Sequence, residues 1–343
     1  MDSACDLPPE FSRKHNIFIL PVTAVINGQT YIDEHDPVKT QEFYQRGLLQ
    51  KGYYAETRAY SPKQIHSLFM RKIVPQFDMA ICETVARSRS LIYDNANEAM
   101  NTVMARYEGV RAAAGKDGRF SMRVIDSKQI FAGQGLLAAH TLDLIEKKLH
   151  KNALRHEVET FSDSILTCVI PRDLHYIRER ARRRGDNSVS ALVAFMGKAL
   201  NITPVLFGKG TDAQPVAKTW SFESAVEKVM NYAAARVDAG LKTPYVSLSC
   251  GMSWPEIDAL PGLDLLREAC ERNGVELLLS QMGITSSIYI GPGSLCLALA
   301  AEPHIFTVFP YRLSSLRWCG VGHLPRRMPA PVVLANPNGP RPW

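Results

Sequence analysis

Two short clusters place hydroxyl groups beside arginine: Thr57-Arg58-Ala59-Tyr60-Ser61-Pro62 and Arg87-Ser88-Arg89-Ser90. Hydroxyl donors next to a guanidinium suit a carboxylate, which accepts several charge-assisted hydrogen bonds. The second cluster follows Met79-Ala80-Ile81-Cys82, which reads as a short buried strand. In open α/β sheets, the loops beyond strand ends face the ligand crevice. Read singly, each cluster is equally a turn or a helix cap. Gly291-Pro292-Gly293-Ser294 sits between an expected strand and Leu295–Ala300, expected as an apolar helix. Free N–H groups there would suit an anion, and a plain turn is the alternative. Gly133-Gln134-Gly135-Leu136-Leu137-Ala138 fits a dinucleotide fingerprint, G-x-G-x-x-A. Six residues separate it from the strand end at Asp126, too many for the tight first turn, so close packing explains the glycines better. Ser90 and Cys82 are the candidate nucleophiles of an acyl- or phosphate-ester-acting enzyme, but no histidine-containing motif accompanies either. Ser294 is not in a G-x-S-x-G elbow. The nine histidines show no ligand-like pair, and no metal site is expected.

The 343 residues are 46% apolar and 22% charged, which excludes a disordered chain, a collagen and a small disulfide scaffold. No run of roughly 18 apolar residues appears, so no transmembrane segment is expected. Met1 to Asp6 carries two acids and no apolar core, unlike a signal peptide. The seven cysteines are scattered and form no CxxC pair, which fits reduced thiols in a cytoplasmic protein. The net charge of +6 is concentrated at the end of the chain. Five arginines and no acid fall in residues 310–343, leaving +1 for residues 1–309. The Arg178–Arg184 cluster is the exception in the body. It reads as a solvated helix end, or as a contact for phosphate, nucleic acid or an acidic protein. No basic face extends through residues 1–309, and no nucleic-acid partner is expected.

The elements that must carry these residues alternate between strand-like and helix-like. Asn16 to Ile26 is a β-branched run ending at Asn27-Gly28, a hairpin signal, with Gln29–Ile32 as the return strand. Ser61-Pro62 reads as a helix N-cap, with Ile65, Leu68 and Phe69 as the apolar stripe. Asp94–Tyr107 and Gly135–Leu149 read as helices, and Met122–Asp126 as a strand. This alternation predicts a parallel sheet flanked by helices. A second unit begins near 162 with the strand Ser164–Pro171, then a helix Ser190–Leu200, a strand from Ile202, helices Ala225–Ala235 and Glu256–Arg272, and strands Val275–Ser280 and Ser286–Ile290. From about 310 the chain is rich in proline and arginine and reads as irregular.

The ordered motifs resemble the DegV family of fatty-acid-binding proteins. Asp2-Ser3-Ala4-Cys5-Asp6-Leu7-Pro8 is similar to the family's opening D-S-T-A-D-L-P. Ile19–Val22 with Ile26-Asn27-Gly28 and Tyr31–Asp33, Val124–Ser127 with Gly133–Leu137, Leu200–Leu206, and Gly291–Leu295 follow in family order, to about residue 309. The resemblance implies a two-domain α/β fold with parallel or mixed sheets, residues 1–161 and 162–309, and an irregular tail at 310–343. It implies binding rather than catalysis: one long-chain fatty acid in a tunnel near the domain boundary, no other cofactor, and delivery of the acyl group to a separate kinase or other acyl-accepting enzyme. Burying about 15 methylenes at roughly 0.8 kcal/mol each gives of order 10 kcal/mol.

By the same resemblance, Thr57 and Ser90 stand at head-group positions. Ser188 stands where the family has arginine, and Tyr289 where it has histidine. Arg58 is new and is expected to supply the lost positive charge. The family's first strand would precede Asp2, so the chain as written is expected to be marginally stable or aggregation-prone.

Overall fold

The computed structural model describes residues 1–49, 54–184, 202–302 and 304. Ser188, the expected helix 190–200 and the Pro/Arg-rich tail lie outside the described residues.

The chain opens with α1 (Pro9–Lys14), a hairpin of β1 (Val22–Ile26) and β2 (Gln29–Asp33), and α2 (Pro37–Gln45). The strand run expected from Asn16 is regular only from Val22. Asn27 and Gly28 both take positive φ, 48° and 80°, as a type I′ turn requires. β3 (Ala55–Ala59) pairs antiparallel with β1 on the side opposite β2. Next come α3 (Pro62–Leu68), β4 (Met79–Thr84), α4 (Ile92–Met104), α5 (Tyr107–Ala113), β5 (Ser121–Asp126), α6 (Phe131–Glu146) and α7 (Lys151–Ser162). Ser61 caps α3, and the capping box is closed by Gln64. β4 and β5 form a parallel pair.

The rest of the described chain builds a six-stranded sheet. Its elements are β6 (Ile165–Ile170), α8 (Leu174–Arg184), β7 (Thr203–Lys209), β8 (Gln214–Thr219), α9 (Phe222–Ala239), β9 (Tyr245–Cys250), α10 (Trp254–Asp258), α11 (Leu263–Arg272), β10 (Glu276–Gln281), α12 (Ile284–Ile290) and β11 (Leu295–Ala300). The order is β10-β9-β11-β6-β7-β8, and only β10–β9 run parallel. This sheet is mixed and mostly antiparallel, within the parallel or mixed sheets that the resemblance implies, and the parallel pairing expected of the first half is seen in β4 and β5.

Two expectations are overturned together. Ser286–Ile290 is helical, and Leu295–Ala300 is a strand. The reason is burial on every side. Leu295, Leu297 and Leu299 pack with α9 and α11, while Cys296, Ala298 and Ala300 pack with α6 and α7. A strand covered on both faces loses its alternation and cannot be told from a buried helix by periodicity. Gly291–Ser294 therefore joins a helix to a strand, and no helix N-terminus follows it to hold an anion.

The G-x-G-x-x-A segment lies inside α6, not in a phosphate loop. A Cβ at Gly135 would stand 2.4 Å from the Asp6 carbonyl oxygen, and one at Gly133 2.8 Å from Gln129 Oε1. Gly135 lets α6 lie close against the N-terminal loop, and Gly133 lets it approach Gln129 and Thr167. The Gly135→Ala variant is expected to lose about 1–3 kcal/mol of stability by overpacking. Gly109→Ala is the control, since a Cβ there meets nothing within 4 Å. Denaturant unfolding of the two variants checks this.

Candidate functional site

A short helix from the second half of the chain is gripped by groups from the first. Three neighbours of α12 are deeply buried acids or hydroxyls near the chain start. Asp6 Oδ1 accepts from the Gly283 N–H and the Ser286 hydroxyl, both at 3.0 Å. Asp33 Oδ2 accepts from the Thr285 N–H at 2.6 Å. Ser3 and Thr285 hydroxyls meet at 3.3 Å. His35 donates to the Ser3 carbonyl at 2.7 Å, and its ring lies where a Gly283 Cβ would fall. Further along, the Tyr44 hydroxyl donates to the Met282 carbonyl and meets Ser287, and the Tyr176 hydroxyl donates to the Ile288 carbonyl at 3.0 Å.

Acids near the helix start meet unsatisfied N–H groups and the positive end of the dipole. Burial nevertheless dominates at Asp6: desolvation pushes its carboxyl up to about 6, against the lowering pull of His35 and the two donors. Burial likewise raises Asp2 and Glu83. Glu83 Oε1 takes the Thr141 hydroxyl at 2.5 Å, while Oε2 has no hydrogen-bond partner.

The far end of α12 carries Tyr289. Its hydroxyl donates to the Arg89 carbonyl at 3.2 Å, so it holds the loop that carries Ser90. The Arg89 guanidinium reaches on to the Thr211 carbonyl at 3.2 Å, in the β7–β8 turn. Ser90 Oγ accepts from the Ile92 N–H at 3.2 Å at the start of α4, which leaves its own proton for another acceptor. Thr57 sits on β3, which packs against α12. Strand alternation gives Thr57 the same face as Ala55, and Ala55 packs with Ile284 and Ile288.

Tyr289 thus ties the Ser90 loop to α12, which also packs against the strand of Thr57. Arg58 is not part of this junction. Arg58 takes the opposite face of β3 and pairs with Glu56, with 68% of its side chain exposed. The expected compensation by Arg58 is corrected accordingly: strand alternation and a nearer acid turn its charge outward. In the basic cluster, Arg180 is not solvated; it is buried over the Tyr176 ring, 5.9 Å from its centroid. Cys82 is buried, and desolvation pushes its thiol up to about 11, which holds it protonated near neutral pH.

In the sequence Asp2 and Asp6 stand out as charges against a signal peptide and as part of the family's opening motif, but nothing there marks Asp6 as a partner of α12. A signal of burial existed: two acids inside an otherwise small and apolar stretch, Asp2 to Leu7. Among the described residues no group of three or more His, Cys, Asp and Glu is placed to hold a metal, and no helix is long and apolar enough to cross a membrane.

Fold and site together define a mixed α/β protein in which a buried helix of the second half, α12, is hydrogen-bonded by acids of the first. Residues 1–302 match the family described as "Uncharacterised protein, DegV family". The chain is 39% identical to a DegV domain-containing protein of Xanthomonas axonopodis pv. citri, over 90% of this chain and 98% of the relative. It belongs to the DegV family. Among solved structures, a stearic acid-binding protein from Eubacterium ventriosum matches with a TM-score of 0.69 at 22% identity, covering 88% of this chain and 97% of the other. DegV from Bacillus subtilis, described as a fatty acid binding protein, matches with a TM-score of 0.65 at 18% identity, covering 88% and 97%.

The raised carboxyl of Asp6 has a definite sign in stability. The folded state holds a proton that the unfolded state releases near the ordinary value of 3.8. Asp6 therefore favours folding at low pH, and that contribution is lost as pH rises from about 4 to about 6. About 3 kcal/mol is at stake. Asp6→Asn is expected to reduce the slope of the stability profile across this window, to which the raised Asp2 and Glu83 also contribute, as read by urea midpoints at a series of pH values.

Proposed function

We propose that this chain binds one long-chain fatty acid and holds its carboxylate at the α12 junction. The observation that carries the reading is the bond from Tyr289 to the Ser90 loop. It ties the Ser90 loop to α12, the helix that also packs against β3, the strand of Thr57. Solved relatives of this fold that are described as fatty-acid-binding support the choice of ligand. A carboxylate needs several donors. Ser90 has a proton to give, Thr57 lies on the facing strand, and Tyr289 can turn its proton from the Arg89 carbonyl to the ligand. Ser188, outside the described residues, stays in the set by resemblance alone. Arg58 is left out because Glu56 holds it on the outer face.

The reading is of a carrier, not a catalyst. Cys82 is held protonated near neutral pH, and the Ser90 oxygen bonds the backbone of Ile92. A carrier of this kind would hand its acyl group to a separate acyl-accepting enzyme. The free cysteines at 5, 82, 168, 250, 270 and 296 are all buried, which suits a reducing compartment such as the cytoplasm.

Protein purified from a lipid-containing host is expected to carry about one fatty acid per chain by native mass spectrometry. Empty protein that also fails to take up palmitate or oleate would overturn the reading. Ser90→Ala is expected to weaken binding about ten- to a hundredfold, the cost of one hydrogen bond to a charged group. Arg58→Ala is expected to leave affinity unchanged. Competition titration with a fluorescent fatty acid measures both.

A further inference from the structure

Two residues between β5 and the first turn of α6 hold a backbone conformation that side chains resist. Lys128 has a φ of 55°, and Phe131, the first residue of α6, has a φ of 48°. This left-handed region is open to glycine, and a bulky aromatic residue there is a genuine outlier. Such strain persists only where the surroundings impose it, and it gathers at ligand clamps and active sites. Here the surroundings impose it. Ser127 Oγ accepts from the Gln129 N–H at 3.0 Å, the Gln129 side-chain amide donates to the Ser162 carbonyl at 2.9 Å, and the Ser162 hydroxyl donates to the Ser127 carbonyl. All three residues are buried. The Ile130 carbonyl accepts from the Gly133 N–H at 2.9 Å, and Phe131 forms a parallel bridge with Cys5, the neighbour of Asp6.

This backbone presents a ring to the site. The buried Phe131 ring meets the Tyr289 ring edge to face, with 6.4 Å between centroids and 62° between planes. The same segment is also tied to the Ser90 loop. The Gln129 carbonyl accepts from the Ala86 N–H at 3.0 Å, and the Ala86 carbonyl accepts from the Arg89 N–H at 2.8 Å. The Arg89 carbonyl in turn takes the Tyr289 hydroxyl. The contacts close a circuit that runs from the strained segment through the Ser90 loop, the Tyr289 hydroxyl and the Tyr289 ring back to Phe131. Tyr289 is thereby held at both ends, by the loop at its hydroxyl and by Phe131 at its ring.

We propose that Phe131 is a positioning residue of the carboxylate site, whose ring fixes Tyr289 so that the hydroxyl stays within reach of the fatty-acid head. This role rests on the reading of Tyr289 as a head-group donor. A side chain already held in its bound geometry loses less freedom on binding, so Phe131 raises affinity without touching the ligand.

The test is a double-mutant cycle on the full chain, with oleate affinity and the carboxyl carbon-13 resonance of bound oleate as readouts. Phe131→Leu is expected to weaken oleate about three- to tenfold, the cost of ordering one side chain. Tyr289→Phe keeps the ring contact and removes the donor, and is expected to cost about ten- to a hundredfold. In the double variant the leucine is expected to add less than about twofold, because no hydroxyl is left to position. The leucine is likewise expected to move the carboxyl resonance when Tyr289 is present and not when phenylalanine replaces it. A role in packing alone would cost the same in both backgrounds. Phe131→Met repeats the cycle if the leucine variant does not fold. Phe131→Leu that binds oleate like the unaltered chain, or that loses the same factor in both backgrounds, would overturn the positioning role and leave the carboxylate site standing. Unchanged affinity in Tyr289→Phe would overturn the site at Tyr289 itself, and the role of Phe131 with it.

Discussion

The buried carboxyl of Asp6 is one tie between the two halves of the molecule, beside α6, which packs against β6, β9 and β11. A charged or polar group without water must find partners, and Asp6 finds them at the start of α12, 277 residues along the chain. Asp33 makes a like contact within the same turn, accepting from the Thr285 N–H. These are long-range bonds from the opening loop and first hairpin to the edge of the six-stranded sheet. They act with the apolar contacts of Ile284 and Ile288, which pack against Ala24, Ile26, Phe43 and Ala55.

Everything at the junction follows from that placement. Gly135 of α6 lets the Asp6 backbone approach closely, since a Cβ there would collide with its carbonyl. His35 closes over Gly283, and Tyr44 and Tyr176 fix the carbonyls of Met282 and Ile288. The helix is thereby held along its length, and Tyr289 reaches the Arg89 carbonyl at its far end. The hydroxyl groups that suit a carboxylate are positioned by a helix whose own position is set by buried acids. Buried polar networks of this kind hold a site in one geometry when each member is satisfied.

Local signals were readable in the sequence where they were self-contained. The Asn27-Gly28 turn and the Ser61 N-cap depend on neighbours in the chain and formed as expected. The family was legible from an ordered set of motifs, each modest alone. What was illegible depended on distant contacts. Leu295–Ala300 reads as a helix because both its faces are covered, and Ser286–Ile290 reads as a strand because α12 is buried on nearly all sides. Arg58 looked like a ligand because Glu56, two residues earlier on the same strand face, was not weighed against it. The acids at 6 and 33 carried no local sign of their partners near residue 285.

The central claim is that a fatty-acid carboxylate sits at the α12 junction and touches Ser90 and Tyr289. Carbon-13 NMR of oleate labelled at its carboxyl carbon tests it most directly. The account predicts one bound carboxyl resonance, distinct from free oleate, that moves in both Ser90→Ala and Tyr289→Phe and stays in place in Arg58→Ala. A bound resonance indifferent to Ser90 and Tyr289 would contradict it and put the head group elsewhere in the fold.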